Sequence, residues 1–170
     1  MLTAEQLIRH LGLEPLPVEG GWFRQTYLAE ESIPAGALPV RYDAAKPFGT
    51  AIYFLLTAEP DCFSALHKLP TDEIYHFYLG DPVEMLLLHP DGRSERVVLG
   101  PDVMHGQRVQ FVAPRGAWQG SRLIAGGKFA LMGTTMAPGF TRWDFAAGER
   151  DELVRLYLAE ADLIRALTRE

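Results

Sequence analysis

The residues best suited to chemistry lie in one short stretch, FSALHKLPTDEIYHFYLG, which contains His67, Glu73 and His76. A carboxylate beside an imidazole fixes the ring tautomer and raises its basicity, so this group suits proton transfer or metal binding. We expect the three residues to be catalytic, with an imidazole as general base and Glu73 orienting it. The alternative is a structural carboxylate–histidine hydrogen bond at the rim of a sheet.

Strand alternation decides which of these side chains can meet. A period of two puts Glu73 and Tyr75 on one face of a strand and His76 on the other. A β-bulge would be needed to turn both Glu73 and His76 inward. We expect His67, Glu73 and His76 to converge in one pocket. For His76 and Glu73 together, this expectation depends on such a bulge.

A second segment, Pro114-Arg115-Gly116-Ala117-Trp118-Gln119, predicts a turn that delivers Gln119 to the start of a strand. Its amide can both donate and accept hydrogen bonds, so we expect Gln119 to hold substrate oxygens. Aromatic walls suit a sugar ring or a planar base, and cationic side chains suit an anionic group. The remaining predicted substrate-binding residues are Tyr53, Tyr75, Tyr78, Phe23, Trp118 and Arg24, with Lys68 and Arg122 as further cations. Ordinary core packing and a solvated surface are the alternatives for these residues.

The elements that must position these residues are mostly strands. Short segments rich in β-branched and aromatic residues, separated by Gly, Pro and Asp, predict strands. No helical stretch alternates with them, which favours an antiparallel barrel or jelly roll over a parallel sheet. Turns are predicted at His89–Gly92 and at Gly126-Gly127. The predicted strands are Trp22–Leu28, Thr50–Leu56, Phe63–His67, Glu73–Leu79, Glu84–Leu88, Glu95–Leu99, Val109–Val112, Trp118–Ile124 and Lys128–Met136.

Helices are predicted at both ends of the chain. Thr3 and Gln6 form a capping-box pattern and Gly12 is a helix stop. Glu149–Tyr157 and Glu160–Thr168 carry apolar residues at helical spacing. The whole chain, residues 1–170, is therefore expected to be a single domain with a barrel over about 18–145 and a helical tail over about 149–168. The proline-rich segment Ser32–Phe48 is expected to be a surface loop that could act as a lid.

Composition limits the function classes. The chain has 170 residues and a formal net charge of −6, which disfavours a nucleic-acid binder of the basic-patch kind. Its one cysteine excludes an intramolecular disulfide and a thiolate zinc cluster, as expected for a cytoplasmic protein. No apolar run approaches the roughly 20 residues needed to cross a bilayer, so no membrane partner is expected.

The two chemical segments together resemble the cupin superfamily. His67, Glu73 and Gly80 match the first cupin motif, and Pro114 and Gly116 match the second. The chain is more specifically similar to the largely uncharacterised cupin-5 family, over nearly its whole length. The blocks that carry this resemblance are EGGWFR at 19–24, TAIYFL at 50–55, SALH at 64–67, DEIYHF at 72–77 and PGF at 138–140.

The resemblance implies a mainly β, cupin-type double-stranded β-helix with a pocket at its open end. It implies a small-molecule enzyme of the isomerase, epimerase or lyase class, acting on a carbohydrate-like or nucleotide-derived substrate. A non-catalytic ligand-binding or sensor cupin is the alternative. Relatives with this architecture act as dimers, and the aromatic segment Trp22–Leu28 could pair with a second copy, so a homodimer is expected.

The sequence departs from metal-binding cupins, which offer three histidines and one glutamate. At those positions this chain has His67, Leu69, Glu73 and Gln119, so the resemblance implies that His67, Glu73 and Gln119 converge in one pocket, together with His76. Since imidazole is the ligand that first-row metals favour, a metal held by His67, Glu73 and Gln119 would be weakly bound. We therefore expect no cofactor and at most a weakly held divalent metal.

Overall fold

The computed structural model describes residues 2–169. All nine predicted strands are confirmed, each end within one residue of its predicted position. The helices are α1 (Ala4–Leu11), α2 (Arg150–Leu156) and α3 (Ala161–Ala166). The strands are β1 (Glu14–Pro15), β2 (Trp22–Leu28), β3 (Ser32–Ile33), β4 (Lys46–Pro47), β5 (Thr50–Thr57), β6 (Ser64–Lys68), β7 (Glu73–Gly80), β8 (Val83–Leu88), β9 (Ser94–Leu99), β10 (Gln110–Ala113), β11 (Trp118–Leu123), β12 (Phe129–Met136) and β13 (Ala146–Ala147).

The strands form two main sheets. The first has the order β1-β2-β5-β12-β7-β10 and the second the order β13-β6-β11-β8-β9. Within both sheets all neighbours among these strands are antiparallel, and most neighbours are distant in sequence. This is a mainly β, antiparallel jelly-roll architecture, as the sequence predicts.

The core lies between the two sheets. Phe54, Tyr75 and Phe77 of the first sheet pack against Met85 and Leu87 of the second. In β7 the buried residues alternate with half-buried or exposed ones, because one face meets this core and the other faces outward. The same alternation directs Glu73, at the start of β7, toward the interior.

Helices cover the outer faces of both sheets. Leu153 of α2 and Ile164 of α3 pack on Leu66, Leu86 and Leu88, so β6 and β8 are buried on both faces. The α1 helix begins with the predicted capping box and packs on the outer face of the first sheet. The left-handed backbone at Gly12, with φ of 62°, ends this helix as predicted.

Two loop predictions need correction. Gly126 lies in a turn, but this turn joins β11 of the second sheet to β12 of the first, so it does not make a hairpin. The segment Ser32–Phe48 is not only loop, because β3 and β4 pair within it. It is held to the chain near Thr141 by Lys46, whose buried ammonium pairs with Asp144 and donates to Thr141 Oγ1 at 2.7 Å. The predicted hairpin at His89–Gly92 is confirmed between β8 and β9.

In residues 2–169, no helix is long and apolar enough to cross a membrane.

The packing of α2 on the second sheet can be tested with one matched pair of variants. Leu153 is 1% exposed and Leu156, in the same helix, is 58% exposed. We expect Leu153→Ala to lower the free energy of unfolding by about 2–5 kcal/mol, because it leaves a cavity in a packed cluster. Leu156→Ala should change it by less than about 0.5 kcal/mol. Urea unfolding measures both, and equal losses would show that α2 does not pack as described.

Candidate active site

His67 and Gln119 are direct cross-strand neighbours at the open end of the second sheet. The register pairs Gln119 with His67 and Ser121 with Ser64, so β6 has one residue more than β11 between these pairs. This bulge lets Ser64 and His67, three residues apart, both project toward the interior. Gly120 is needed opposite the bulge, since a Cβ there would lie 3.0 Å from the Leu66 Cγ.

The tautomer of His67 is set by the backbone. Its Nδ1 lies 2.8 Å from the carbonyl oxygen of Ala65, and a carbonyl only accepts, so Nδ1 carries a proton. Nε2 is left facing the site, and the ring stacks on Phe145 with 5.1 Å between ring centroids. His67 is 1% exposed, so the packing of its ring holds Nε2 in one direction.

Glu73 and Gln119 are the polar side chains next to His67 Nε2. The Gln119 amide nitrogen donates to Glu73 Oε2 at 2.7 Å and lies 3.2 Å from His67 Nε2. The two nitrogen-bound hydrogens of the amide can serve Glu73 and a neutral His67 together. The hydroxyl of Tyr75 also donates to Glu73 Oε2, at 3.2 Å. Glu73 is thus held as an ionised acceptor.

Protonation of His67 would change this arrangement. The imidazolium would carry hydrogens on both nitrogens, and its Nε2 would then face Glu73 Oε2 at 3.9 Å. The Gln119 amide nitrogen could no longer donate to it, so the amide must shift. Gln119 Oε1 has no hydrogen-bond partner among the described residues, and it is the acceptor that this shift would use.

A second carboxylate, Glu19, reaches the same site from the loop before β2. Its Oε1 accepts a hydrogen bond from Ser64 Oγ at 2.7 Å. Val18, with φ of 68°, and Gly20, with φ of 96°, give this loop its sharp bend. A positive φ is costly for β-branched Val18, and such strain is typical of functional loops. Arg169 secures the loop by donating from Nε to the Val18 carbonyl at 2.9 Å.

The three ionisable groups shift one another. Burial alone would lower the pKa of His67, but the negative charges of Glu19 and Glu73 outweigh it and raise that pKa to about 9. Burial acts to raise the pKa of Glu73, but the hydrogen bond and charge of His67 hold it below its usual value. Burial dominates at Glu19 and raises its pKa. The pKa values of the two carboxylates that flank this imidazole are therefore shifted in opposite directions, which is typical of acid–base sites.

The group opens into a cavity of about 180 Å³ at the end of the barrel. This volume equals about six liquid waters, below the roughly 300–1,000 Å³ of sites for drug-sized ligands. Its walls mix apolar and polar side chains, and the ionisable groups lie on one side of it. The lining residues are Leu16, Glu19, Phe23, Gln25, Thr50, Ala51, Ile52, His67, Leu69, Glu73, Thr134, Met136, Phe140 and Phe145.

His76 does not join this group, and its predicted placement is wrong. It lies on the outer face of β7, where Nε2 is 3.1 Å from Thr135 Oγ1 and Nδ1 is 3.3 Å from the Gln110 amide nitrogen. The bulge that would have turned it inward is absent at this point, since β7 pairs with β12 in unbroken register from Glu73 to Phe77.

Four other predicted substrate-binding residues also lie outside the cavity. Tyr53 and Tyr78 meet edge to face, with ring centroids 6.2 Å apart, on the outer face of the first sheet. Arg24 is exposed and donates from Nη1 to the Leu11 carbonyl at 2.8 Å. Trp118 packs with the C-terminal helices and under the Lys68 ammonium. Of the predicted set, Phe23 lines the cavity, and Tyr75 and Gln119 lie behind it.

Sequence reasoning missed Glu19 and Phe145. A signal for Glu19 was present, because two glycines with positive φ follow it directly and mark a sharply bent backbone. Phe145 gave no such signal, since only the return of the chain to pair β13 with β6 brings its ring against His67.

The residues present do not suit a tightly bound transition metal. His67, Glu73 and Gln119 converge as predicted, but the amide nitrogen and not its oxygen faces the carboxylate. His67 is the one imidazole of this set, and first-row metals favour several. No cluster of three or more histidine, cysteine, aspartate or glutamate side chains suited to a metal occurs in the described part of the chain.

Comparisons with known proteins agree with this architecture. The family model described as Cupin superfamily (DUF985) matches residues 5–148. An uncharacterized protein of Saccharomyces cerevisiae is 30% identical over 161 residues, spanning 89% of this chain and 75% of the yeast protein. A protein of known crystal structure from Shewanella oneidensis is 30% identical, with a TM-score of 0.85 and 99% of each chain covered.

A cupin 2 domain-containing protein from Halorhodospira halophila is more distant. It is 18% identical, with a TM-score of 0.55 over 91% of this chain and 88% of that one. At this identity the likeness extends to the fold alone.

The charge of His67 can be read by NMR titration, with His67→Gln used to assign its signal. We expect a pKa above the ordinary 6.5, near 9. Glu73→Gln should lower it, because the carboxylate that favours the imidazolium is lost while the burial remains. A wild-type pKa at or below 6.5 would contradict this electrostatic account.

The same shift predicts how stability depends on pH. Because the folded pKa of His67 is raised, its stabilising charge interaction is fully present below about pH 6.5 and is lost as the pH rises through about 9. We expect the wild type to lose stability relative to His67→Gln over this interval. Urea unfolding of both proteins between about pH 6.5 and about pH 9 gives the difference in their free energies of unfolding. A difference that does not change with pH would contradict the prediction.

Proposed function

We propose that this chain, which belongs to the DUF985 family of the cupin superfamily, is a metal-independent enzyme that moves a proton on a small carbonyl compound. The observation that carries this proposal is that Glu19 and His67 line one small cavity with their pKa values raised, while Glu73 stays ionised behind His67. A carboxylate with a raised pKa is a suitable base, and a cationic imidazole is a suitable acid.

The chemistry needs no oxidant or reductant. The Glu19 carboxylate takes a proton from the carbon next to the carbonyl. The Nε2–H of His67, held by Gln119 Oε1 in the free protein, transfers its hydrogen bond to the substrate oxygen on which negative charge develops. Return of the proton from Glu19 to the neighbouring carbon completes an isomerisation, with the proton of the adjacent hydroxyl group passing back to His67 Nε2 as the new carbonyl forms. Epimerisation requires the enol intermediate to turn its opposite face toward Glu19 before the proton returns. Loss of a leaving group from the same enolate would be the lyase variant. Glu73 and Gln119 act as positioning residues for the imidazole.

The cavity favours a small, hydroxylated substrate. Gln25, Thr50 and Thr134 add polar groups to its walls, and Phe23 and Phe140 add aromatic surface. This mixture suits a carbohydrate-like compound, whose rings have both polar edges and apolar faces. A nucleotide-derived substrate would have to extend beyond the cavity, since about 180 Å³ holds only a part of it.

Solvent-deuterium exchange tests the activity. A set of aldoses and ketoses is incubated with the protein in D₂O, and NMR detects deuterium at the carbon next to the carbonyl. We expect exchange with at least one compound, reduced about 100-fold or more by His67→Gln and by Glu19→Gln. His76→Gln is the matched control, because that histidine lies on the outer face of the barrel, and it should leave exchange unchanged.

The alternative of a non-catalytic binding protein predicts a different outcome. Compounds would bind, as detected by calorimetry, without deuterium entering any of them. Deuterium exchange that survives His67→Gln would also overturn the assignment of His67 as the acid.

We also propose that two copies associate through the edge of β2. The short β1 pairs only with Trp22 and Phe23, and no strand of the described chain pairs with the rest of this edge. Tyr27 and Leu28, both 55% exposed, add apolar surface beside it. An open, apolar strand edge is a ready template for pairing with a second copy, and a two-fold contact closes it.

Light scattering measures the assembly. We expect a mass near twice the 19.0 kDa of one chain. Leu28→Asp should shift it toward the monomer, because a charge at the contact would lose its water. Leu158→Asp is the matched control, since Leu158 is 74% exposed in the C-terminal tail. A monomeric wild type would refute the dimer, and an unchanged Leu28→Asp mass would place the contact elsewhere.

A further inference from the structure

A broad groove of about 770 Å³ adjoins the catalytic cavity, and Leu69 lines both. The segment between β3 and β5 forms one wall of the groove, and the turn from β6 to β7 forms another. The charged residues that line it are Arg41, Asp43, Lys46, Lys68, Arg115 and Asp144. The groove lining therefore carries four cationic side chains and two carboxylates, so its charge is opposite in sign to the net charge of the chain, which is −6.

Two of these cations are already neutralised by partners. Lys46 forms its buried pair with Asp144. Arg115 lies 3.6 Å from Asp72, which also accepts a hydrogen bond from the Arg115 backbone at 2.8 Å. These pairs hold the walls of the groove in place and leave little charge for a ligand.

Arg41 and Lys68 are held in place without being neutralised. The Arg41 Nε donates to the carbonyl of Pro70 at 3.1 Å, and the Lys68 ammonium lies 4.5 Å from the centre of the Trp118 ring. Within residues 2–169 neither has a carboxylate at ion-pair distance, and Asp43 is the remaining acidic side chain of the groove wall. Carbonyl and aromatic contacts orient a cation but leave its charge available.

We propose that this groove binds a multiply charged anion, a phosphate or carboxylate compound, between Arg41 and Lys68. Trp143, which is 77% exposed and lines the same groove, offers an aromatic surface beside the charges. The proposal depends on the groove residues alone and needs no chemistry in the cavity.

Calorimetry with pyrophosphate and with citrate tests the site, on the full chain at low ionic strength. We expect saturable binding of at least one of them, weakened about 100-fold or more in the double variant Arg41→Gln/Lys68→Gln, because two charged contacts are lost and each is worth about 10-fold or more in affinity. Preference for pyrophosphate would identify a phosphate ligand, and preference for citrate a carboxylate ligand. Either preference supports the proposal.

The matched control is Arg108→Gln/Lys128→Gln, which removes the same charge from exposed positions outside the groove. It should leave the affinity unchanged. Backbone NMR shifts on binding should be largest around Arg41 and Lys68 and should extend to Gly116, which lines the same groove. Equal weakening in both double variants, or no saturable binding of either anion, would overturn the site. Loss of proton exchange in Glu19→Gln with anion binding retained would separate the groove from the proposed reaction.

Discussion

The placing of one buried imidazole between two carboxylates, the buried Glu73 and the half-buried Glu19, is the constraint on which the rest of this site depends. Charges removed from water are costly unless each is paired and hydrogen-bonded. Glu73 has Gln119 and Tyr75 as donors, and Glu19 has Ser64. The bulge in β6 and the bent loop before β2 supply the positions from which these partners reach inward. Removal of one partner would leave a buried charge with little compensation.

The second sheet supports this arrangement because it is packed on both sides. The core between the sheets covers the inner face of β8, and the C-terminal helices cover the outer faces of β6 and β8 at Leu66, Leu86 and Leu88. A strand held in this way cannot slide by one residue without moving apolar side chains into the wrong layer. The direction of His67 is therefore as rigid as the sheet, which a site that positions a proton requires.

Much of the fold followed from sequence because strands and caps are local. Alternating apolar residues, the turn at His89–Gly92 and the capping box of α1 each depend on neighbours within a few positions. The convergence of His67, Glu73 and Gln119 was predicted from the resemblance to the cupin motifs, because no local pattern relates β11 to β6 and β7. The turn at Gly126 was recognised, but which strands it would join was not, because pairing is decided by distant segments.

The sequence by itself determined the strands, the helix caps and the two segments that supply His67 and Gln119. Strand alternation alone also predicted that His76 and Glu73 lie on opposite faces of the same strand, and in the structure they do. Only the tertiary structure decided that Glu19 completes the site and that Phe145 packs on the imidazole. These two side chains come from segments 48 residues before and 78 residues after His67. Their meeting depends on how the sheets close over the barrel end, which no local pattern encodes.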